Sequence, residues 1–328
     1  MVLIMFIGID HGTTAMRFAF LDERSEISKL EIPRQDVAPM SESDVITLIE
    51  DKFNISKNDI GMIAVTYSMG DDITSVGSIG DVKNRGVRSI EGAGKKTGGG
   101  SRVFDAIRNS GIPAVVIPGI HDRSQTDPRL NVFSHSTSPE KIGIAYHALC
   151  MGFENFVLSD ISSNTVTLGI SNGKLIGAID ACIFAPGVNH GPLDVQALRD
   201  IDADKLSANE AFINAGVLKH TPFSDRDELF RAAEDNDSAA LLALDTIALF
   251  AAMEISGMQI LLKDYGFEGD VVLEGSVVEL PYVAEKIKKH LGTDCHVLDR
   301  WSAAVGCAEI ARNIANGSRE ILGIPVNL

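Results

Sequence analysis

Two short segments of this 328-residue sequence hold the residue types that phosphate and divalent-cation chemistry require: Asp10-His11-Gly12-Thr13-Thr14 and Asp160-Ile161-Ser162-Ser163-Asn164. Each follows an apolar run, so each reads as a turn at the end of a buried strand. A tight turn of Gly, Ser and Thr gathers backbone N–H groups and hydroxyls into one concavity, which suits anionic oxygens. A carboxylate at the strand end can hold Mg2+ through water, because Mg2+ dehydrates reluctantly. Facing one another, the two turns would clamp a nucleoside triphosphate and its metal. Gly12, Thr13, Thr14, Ser162, Ser163 and Asn164 would cradle phosphates, and Asp10 and Asp160 would organise the ion. A third candidate is Glu274-Gly275-Ser276, inside the apolar run Asp270–Val278, where a Gly lets a flat ligand approach the backbone. On residue types alone, ordinary hairpins and a plain strand-to-helix turn remain alternatives.

The elements that must position these residues repeat. Val2–Ile9, Ala15–Leu21 and Glu26–Pro33 read as three strands. Ser41 caps a helix to Phe53, with Asp44 three residues on in a weaker form of the capping box. Met62–Ser68 reads as a strand, Arg102–Asn109 as a helix and Ala114–Ile117 as a strand. The second half opens alike, with strands at Phe156–Ser159, Val166–Ile170 and Leu175–Phe184, and Asn172-Gly173 as a hairpin signal. Helical patterns fill residues 195 to 265, the longest from Ser238 to Tyr265. A strand at Asp270–Val278, a helix at Tyr282–Leu291, a strand at His296–Leu298 and a helix at Ser302–Asn316 close the chain. The pattern is a duplicated α/β unit, with mixed sheets covered by helices and a ligand expected in a central cleft between domains. The expected boundaries are 1–147, with a Gly-rich insert at 70–102, and 148–328, whose last helix packs back on the first domain.

Composition narrows the function. With 29 Lys+Arg against 45 Asp+Glu, the net charge is 29 − 45 = −16. That balance argues against nucleic acid and against anionic membranes, both of which need an excess of basic residues. Cys150, Cys182, Cys295 and Cys307 show no CxxC spacing, as expected of reduced thiols in a cytoplasmic protein. The apolar N-terminus lacks a basic n-region and is not read as a signal peptide. Asp245 and Glu254 interrupt the longest apolar stretch, which reads as a buried helix rather than a membrane span. Within the acidic chain, Lys83–Arg102 holds six basic residues against one acid. It is not a P-loop, and it reads as a lid that brings Lys95 and Lys96 over an anionic ligand.

Four segments in order resemble the superfamily of sugar kinases, acetate kinase, heat-shock chaperones and actin, and within it the short-chain carboxylate kinases, especially butyrate kinase. GIDHGTTAMRFAFLD is similar to their first phosphate motif, and NFVLSDISSNTVTLGISNGKLIGAIDA to the second. VVLEGSVVELPYVAEKIKKHLG is similar to the adenosine motif, and AAVGCAEIARN to the last connecting helix. The insert EGAGKKTGGGSRVFDAI further resembles an archaeal family catalogued as methanogenesis marker protein twelve.

The resemblance implies duplicated ribonuclease H-like (actin-like ATPase) domains, ATP and Mg2+ as cofactors, a small anionic metabolite as substrate and a homodimer. Glu274, Gly275 and Ser276 would border the adenine. His135 matches the His that follows a Phe before a helix, and would steady the phosphoryl group in flight. Arg123 and Arg129, in the polar loop before it, are candidates for carboxylate or phosphate contacts. His190, in Pro186–Asp194, stands near the place of a kinase Arg. Serines and an asparagine replace glycines in the second phosphate turn, and Ser276 replaces the second Gly of the adenosine motif. The expected activity is an ATP-dependent phosphotransferase for a small carboxylate or related anion. The alternative is a nucleotide-binding switch or assembly factor with little turnover.

Overall fold

Apolar runs set the strands and capping side chains set the helix starts. The computed structural model describes residues 4–12, 15–66, 73–82 and 98–328. Thr13, Thr14, Lys95 and Lys96 lie outside the described residues, and so does the lid expectation that rests on the last two. In chain order the first part holds β1 (Met5–His11), β2 (Ala15–Asp22), β3 (Ile27–Pro33), α1 (Arg34–Val37), α2 (Glu42–Phe53), β4 (Ile60–Val65), β5 (Val76–Ser78), α3 (Gly98–Asn109), β6 (Ala114–Val116), β7 (Ile120–His121), β8 (His135–Thr137) and α4 (Pro139–Cys150). Next come β9 (Phe156–Ile161), β10 (Thr165–Ser171), β11 (Lys174–Ile179), α5 (Val195–Asp202), α6 (Ala208–Ile213), α7 (Arg226–Glu234), α8 (Ser238–Asp264), β12 (Asp270–Glu274), α9 (Pro281–Leu291) and β13 (His296–Val297). The chain closes with α10 (Ser302–Ala315), β14 (Glu320–Ile321) and β15 (Ile324–Asn327).

These elements divide into two units. One comprises Met1–Phe153, Gly173–Leu175 and Trp301–Leu328, and the other Glu154–Asn172 and Ile176–Arg300. Among the described residues, the first unit's sheet contains the order β3-β2-β1-β4-β6 and continues through β5, β15 and β14. The second unit's sheet has the order β11-β10-β9-β12-β13. In both, the first strand of the repeat pairs antiparallel with the second and parallel with the fourth. The same five-strand arrangement therefore occurs twice, with Asp10 and Asp160 at equivalent strand ends.

Several boundaries differ from the sequence reading. β1 runs on through Asp10 and His11, which pair with Arg17 and Met16 of β2, so Asp10 belongs to the ladder rather than to the turn. β11 ends at Ile179 rather than Phe184, because the chain turns there, with the Ile183 amide donating to the Asp180 carbonyl at 2.9 Å. β12 ends at Glu274, where Gly275 takes a φ of 109° that a strand cannot continue. α3 starts at Gly98 rather than Arg102, so a run of poor helix formers is helical. A Cβ on Gly99 would lie 2.6 Å from the Arg34 carbonyl oxygen, so the closeness of α1 explains a glycine there. Ser41 and Asp44 form the full capping box of α2.

In the first unit, α10 lies tightly against β1 and α4. A Cβ on Gly8 would clash with the Ala304 carbonyl oxygen, and one on Gly306 with that of Gly143. One on Gly143 would sit 2.7 Å from the Ala303 carbonyl oxygen. The contacts meet where Asp10 projects, since Gly8 and Asp10 share a face of β1.

In the second unit, α8 packs its buried face over β9 and β10. It is long and apolar enough to cross a membrane, but half of its most apolar window is buried inside the protein. Its Glu254 is buried, and Oε2 accepts from the Ala185 backbone N–H at 3.1 Å. Burial pushes this carboxyl up to about 8, and Asp180 adds to the rise against hydrogen bonds from Thr167 and Ala185.

Two predictions follow from this packing. Gly306→Ala destabilises by about 1–3 kcal/mol or more through overpacking. Gly257→Ala, in open space on the exposed side of α8, stabilises by roughly 0.5–1 kcal/mol. Urea unfolding of both variants reads the opposite signs, and equal signs would refute the packing. The second concerns pH. The native state holds the Glu254 proton more tightly than the unfolded state, whose carboxyl titrates near 4.5. Its stabilising contribution is complete below that value and declines as pH rises through about 8. Glu254→Gln should flatten the fall in melting temperature over this window, and an unchanged slope would assign it elsewhere.

Candidate functional site

In the first unit the site is built around the end of β1. Asp10 is buried; Oδ2 accepts from Arg17 at 3.3 Å and Oδ1 has no hydrogen-bond partner among the described residues. Burial, then the charge of Glu140, push its carboxyl up to about 6, while Arg17 and Lys141 pull it down. Arg17 also donates to Glu31 at 2.8 Å, which fixes the guanidinium on the sheet. The His11 amide donates to the Thr66 hydroxyl at 3.1 Å, just beyond β4. Arg34 donates to the Gly12 carbonyl at 3.4 Å. The strand end is thus tied on each side while one carboxylate oxygen stays unsatisfied.

Glu140 and Lys141, in the first turn of α4, reach the same region but were not singled out from the sequence. Lys141 is only 5% exposed, and its Nζ lies 3.1 Å from Glu140 Oε1. The Ser138 hydroxyl donates to that oxygen at 2.5 Å. Burial would raise the Glu140 carboxyl, but the Lys141 charge and the Ser138 bond outweigh it and hold it below its usual value. A buried lysine needs an anion beside it, and Glu140 with Asp10 supplies that charge. Beneath them, burial and the charges of Asp10, Glu140 and Glu309 drive the Cys307 thiol well up, so this face does not provide a reactive thiolate.

In the second unit the structure assembles Asp160, Ser162, Glu274, Gly275 and Ser276. Asp160 is buried and accepts from the Ser162 hydroxyl at 2.9 Å. That hydroxyl in turn accepts from the Ser276 amide at 3.2 Å. Asp160 pairs with Glu274 in the parallel ladder. Gly275 passes so close that a Cβ would lie 2.6 Å from Asp160 Oδ1, which with its positive φ makes glycine necessary. The hydroxyl of Ser162 is therefore turned back into the protein rather than outward.

Backbone bonds hold the turn from the other side. The Ser162 carbonyl accepts from Val188 at 3.1 Å, and that of Ser163 from Asn189 at 3.0 Å and His190 at 2.8 Å. The 187–189 carbonyls accept in turn from Val217, Leu218 and Gly216. His190 thus joins the second turn through its backbone, with its ring tilted on Phe212 at 4.9 Å. The amides of Ser163 and Asn164 make no hydrogen bond among the described residues, and two such N–H groups in one turn form an anion-binding concavity.

The remaining candidates lie on the polar loop before α4. His135 is partly buried in β8, opposite His121 of β7. Arg123 is exposed. Arg129 is engaged in a two-pronged pair with Asp127, at 2.9 and 2.8 Å. Asp194 caps α5 by accepting from the Gln196 and Ala197 amides. No group of three or more His, Cys, Asp or Glu able to hold a metal occurs among the described residues. A cavity of about 10 Å3 by Pro118, Ile120, Leu322 and Pro325 has room for about one water and includes none of the candidate residues.

The fold is that of known phosphotransferases. A propionate kinase from Francisella tularensis subsp. tularensis SCHU S4 superposes with a TM-score of 0.66 at 12% identity, over 95% of this chain and 100% of that one. An acetate kinase from Porphyromonas gingivalis gives 0.59 at 14% identity, over 95% and 98%. At such identities the likeness is one of fold: duplicated ribonuclease H-like domains, as in actin-like ATPases. No protein-family model matches the sequence. A UPF0285 protein of Methanosarcina barkeri (strain Fusaro / DSM 804) is 61% identical over 98% of this chain and 99% of its own. On that identity and coverage, the chain belongs to the UPF0285 family.

Proposed function

We propose that the chain is an ATP-dependent phosphotransferase acting on a small carboxylate or a related anionic metabolite. The observation that carries this reading is the pair of buried aspartates at equivalent strand ends of two sheets with one strand order. The kinase fold of the structural neighbours supports it. Oxygen donors suit Mg2+, and the unpartnered Asp10 Oδ1 is a ready acceptor for its hydration shell. Asp10 and Asp160 would hold the ion, which supplies neutralisation of phosphate charge. Gly12, Ser163 and Asn164 would present backbone to phosphate oxygens. Gly275 would let the adenine lie against the backbone. Arg17 and Lys141 add fixed positive charge beside Asp10, and His135 with Arg123 would steady the acceptor. The cytoplasm is the proposed compartment. A link to methanogenesis rests on the Methanosarcina source of the relative.

One observation favours a second reading, a nucleotide-binding switch with little turnover. The Ser162 hydroxyl already occupies Asp160 Oδ1, so that carboxylate is less open to a hydrated ion than a turn of glycines would leave it. The two readings share a binding site and differ in chemistry. Mg-ATP or Mg-ADP should raise the melting temperature, and Asp10→Asn should abolish that rise. The free Asp10→Asn protein should melt no lower than wild type, because the substitution removes a buried charge. ATP consumption with a panel of short carboxylates separates the readings. Stabilisation with consumption supports the phosphotransferase, and stabilisation without it supports the switch. No stabilisation by any nucleotide rejects both.

A further inference from the structure

Ser162 stands between two parts of the second unit that the proposed function uses separately. Its hydroxyl donates to Asp160 Oδ1 at 2.9 Å and accepts from the Ser276 amide at 3.2 Å. Neither bond can reverse its direction, because an amide only donates and a carboxylate only accepts. The surroundings are closely packed. A Cβ on Gly275 would lie 2.5 Å from Ser162 Oγ and 2.6 Å from Asp160 Oδ1, so only glycine backbone fits over this bond. On one side the Val277 amide donates to the Ile161 carbonyl at 3.1 Å and ties the two turns together. On the other the Val188 amide donates to the Ser162 carbonyl at 3.1 Å. With the backbone anchored on both sides, the hydroxyl is the part that can change partners.

We propose that Ser162 couples the nucleoside end of the site to its ion end, so that adenosine on the Gly275-Ser276 turn raises the affinity of Asp160 for hydrated Mg2+. This rests on the reading of that turn as the adenine border and of Asp160 as an ion ligand. A ligand acceptor lying against the Gly275 backbone competes with Ser162 Oγ for the Ser276 amide. Hydrogen bonds in a chain polarise one another, so losing that donor weakens the hydroxyl's own bond to Asp160. Oδ1 then exchanges the hydroxyl more readily for a water of the ion's shell. The coupling is reciprocal, so Mg2+ raises the affinity for adenosine by the same factor. A glycine at position 162 would have no side chain to carry it.

Calorimetric titration with adenosine, in chelator and in excess Mg2+, tests the coupling. Adenosine has no phosphate to bind the ion, so any change in its affinity passes through the protein. Mg2+ should tighten wild-type binding about fivefold. Ser162→Ala should bind adenosine equally well with and without Mg2+. In chelator it should bind more tightly than the wild type, because the Ser276 amide is already released. Ser162→Thr keeps the hydroxyl and should restore the dependence on Mg2+. Should Ser162→Ala misfold by circular dichroism, Ser162→Gly tests the same loss. A wild-type affinity that Mg2+ does not move overturns the proposal and leaves the reading of the site standing. A Mg2+ effect that survives Ser162→Ala does the same, and so does a variant that binds more weakly in both conditions, as a merely structural serine would give. Adenosine that binds the wild type in neither condition overturns the reading of the turn and the proposal with it.

Discussion

A carboxylate at the end of a buried strand is poorly solvated, and the local structure of both units is arranged around that penalty. The two units meet it differently. Around Asp10 the compensation is charge: Arg17 across the ladder and Lys141 on α4 oppose burial and Glu140. Around Asp160 it is a neutral chain, from the Ser276 amide to the Ser162 hydroxyl to the carboxylate. Among the described residues one oxygen of Asp10 has no hydrogen-bond partner, a state that usually marks a bound water, an ion or a functional role.

Placing those charges requires close backbone approach. Gly8, Gly143 and Gly306 let α10 settle against β1 and α4, and the same contact brings the first turn of α4 to Asp10. Small residues at helix crossings thus set the electrostatics two or three residues away. In the second unit the equivalent part is played by Gly275 and Gly187, whose missing side chains leave room for the Ser162–Asn164 turn. The serines and asparagine of that turn need not crowd a ligand, because the Ser162 side chain is engaged inward and two amides remain available.

Much of this was legible in the sequence. The Asp–turn–strand repeat marked both strand ends, Asn172-Gly173 made its hairpin with both residues at positive φ, and Ser41 with Asp44 capped α2. Other parts were not, for physical reasons. Glu140 and Lys141 lie 130 residues from Asp10, and nothing local in SPEKIG distinguishes a buried ion pair from a solvated helix start. β5, β7, β8, β14 and β15 are two to four residues long, too short for a period of two to register. The run Leu175–Phe184 continued past its strand because the chain turns at Asp180, whose carbonyl accepts from the Ile183 amide, and Glu254 then fixes Ala185 from 69 residues away. The helical glycines of α3 oppose intrinsic propensity, and Gly99 among them answers to the nearness of α1, which only the tertiary structure shows.

The proposed function requires that Asp10 and Asp160, at the ends of two equivalent strands, serve the same anionic ligand. Amide hydrogen exchange with and without Mg-ATP tests it most directly, because it reads each strand end separately. The account predicts that Mg-ATP slows exchange in both the 8–12 and the 160–164 segments, and that Asp10→Asn removes both effects together. Slowing in one segment alone, or slowing in both that survives Asp10→Asn, would contradict it.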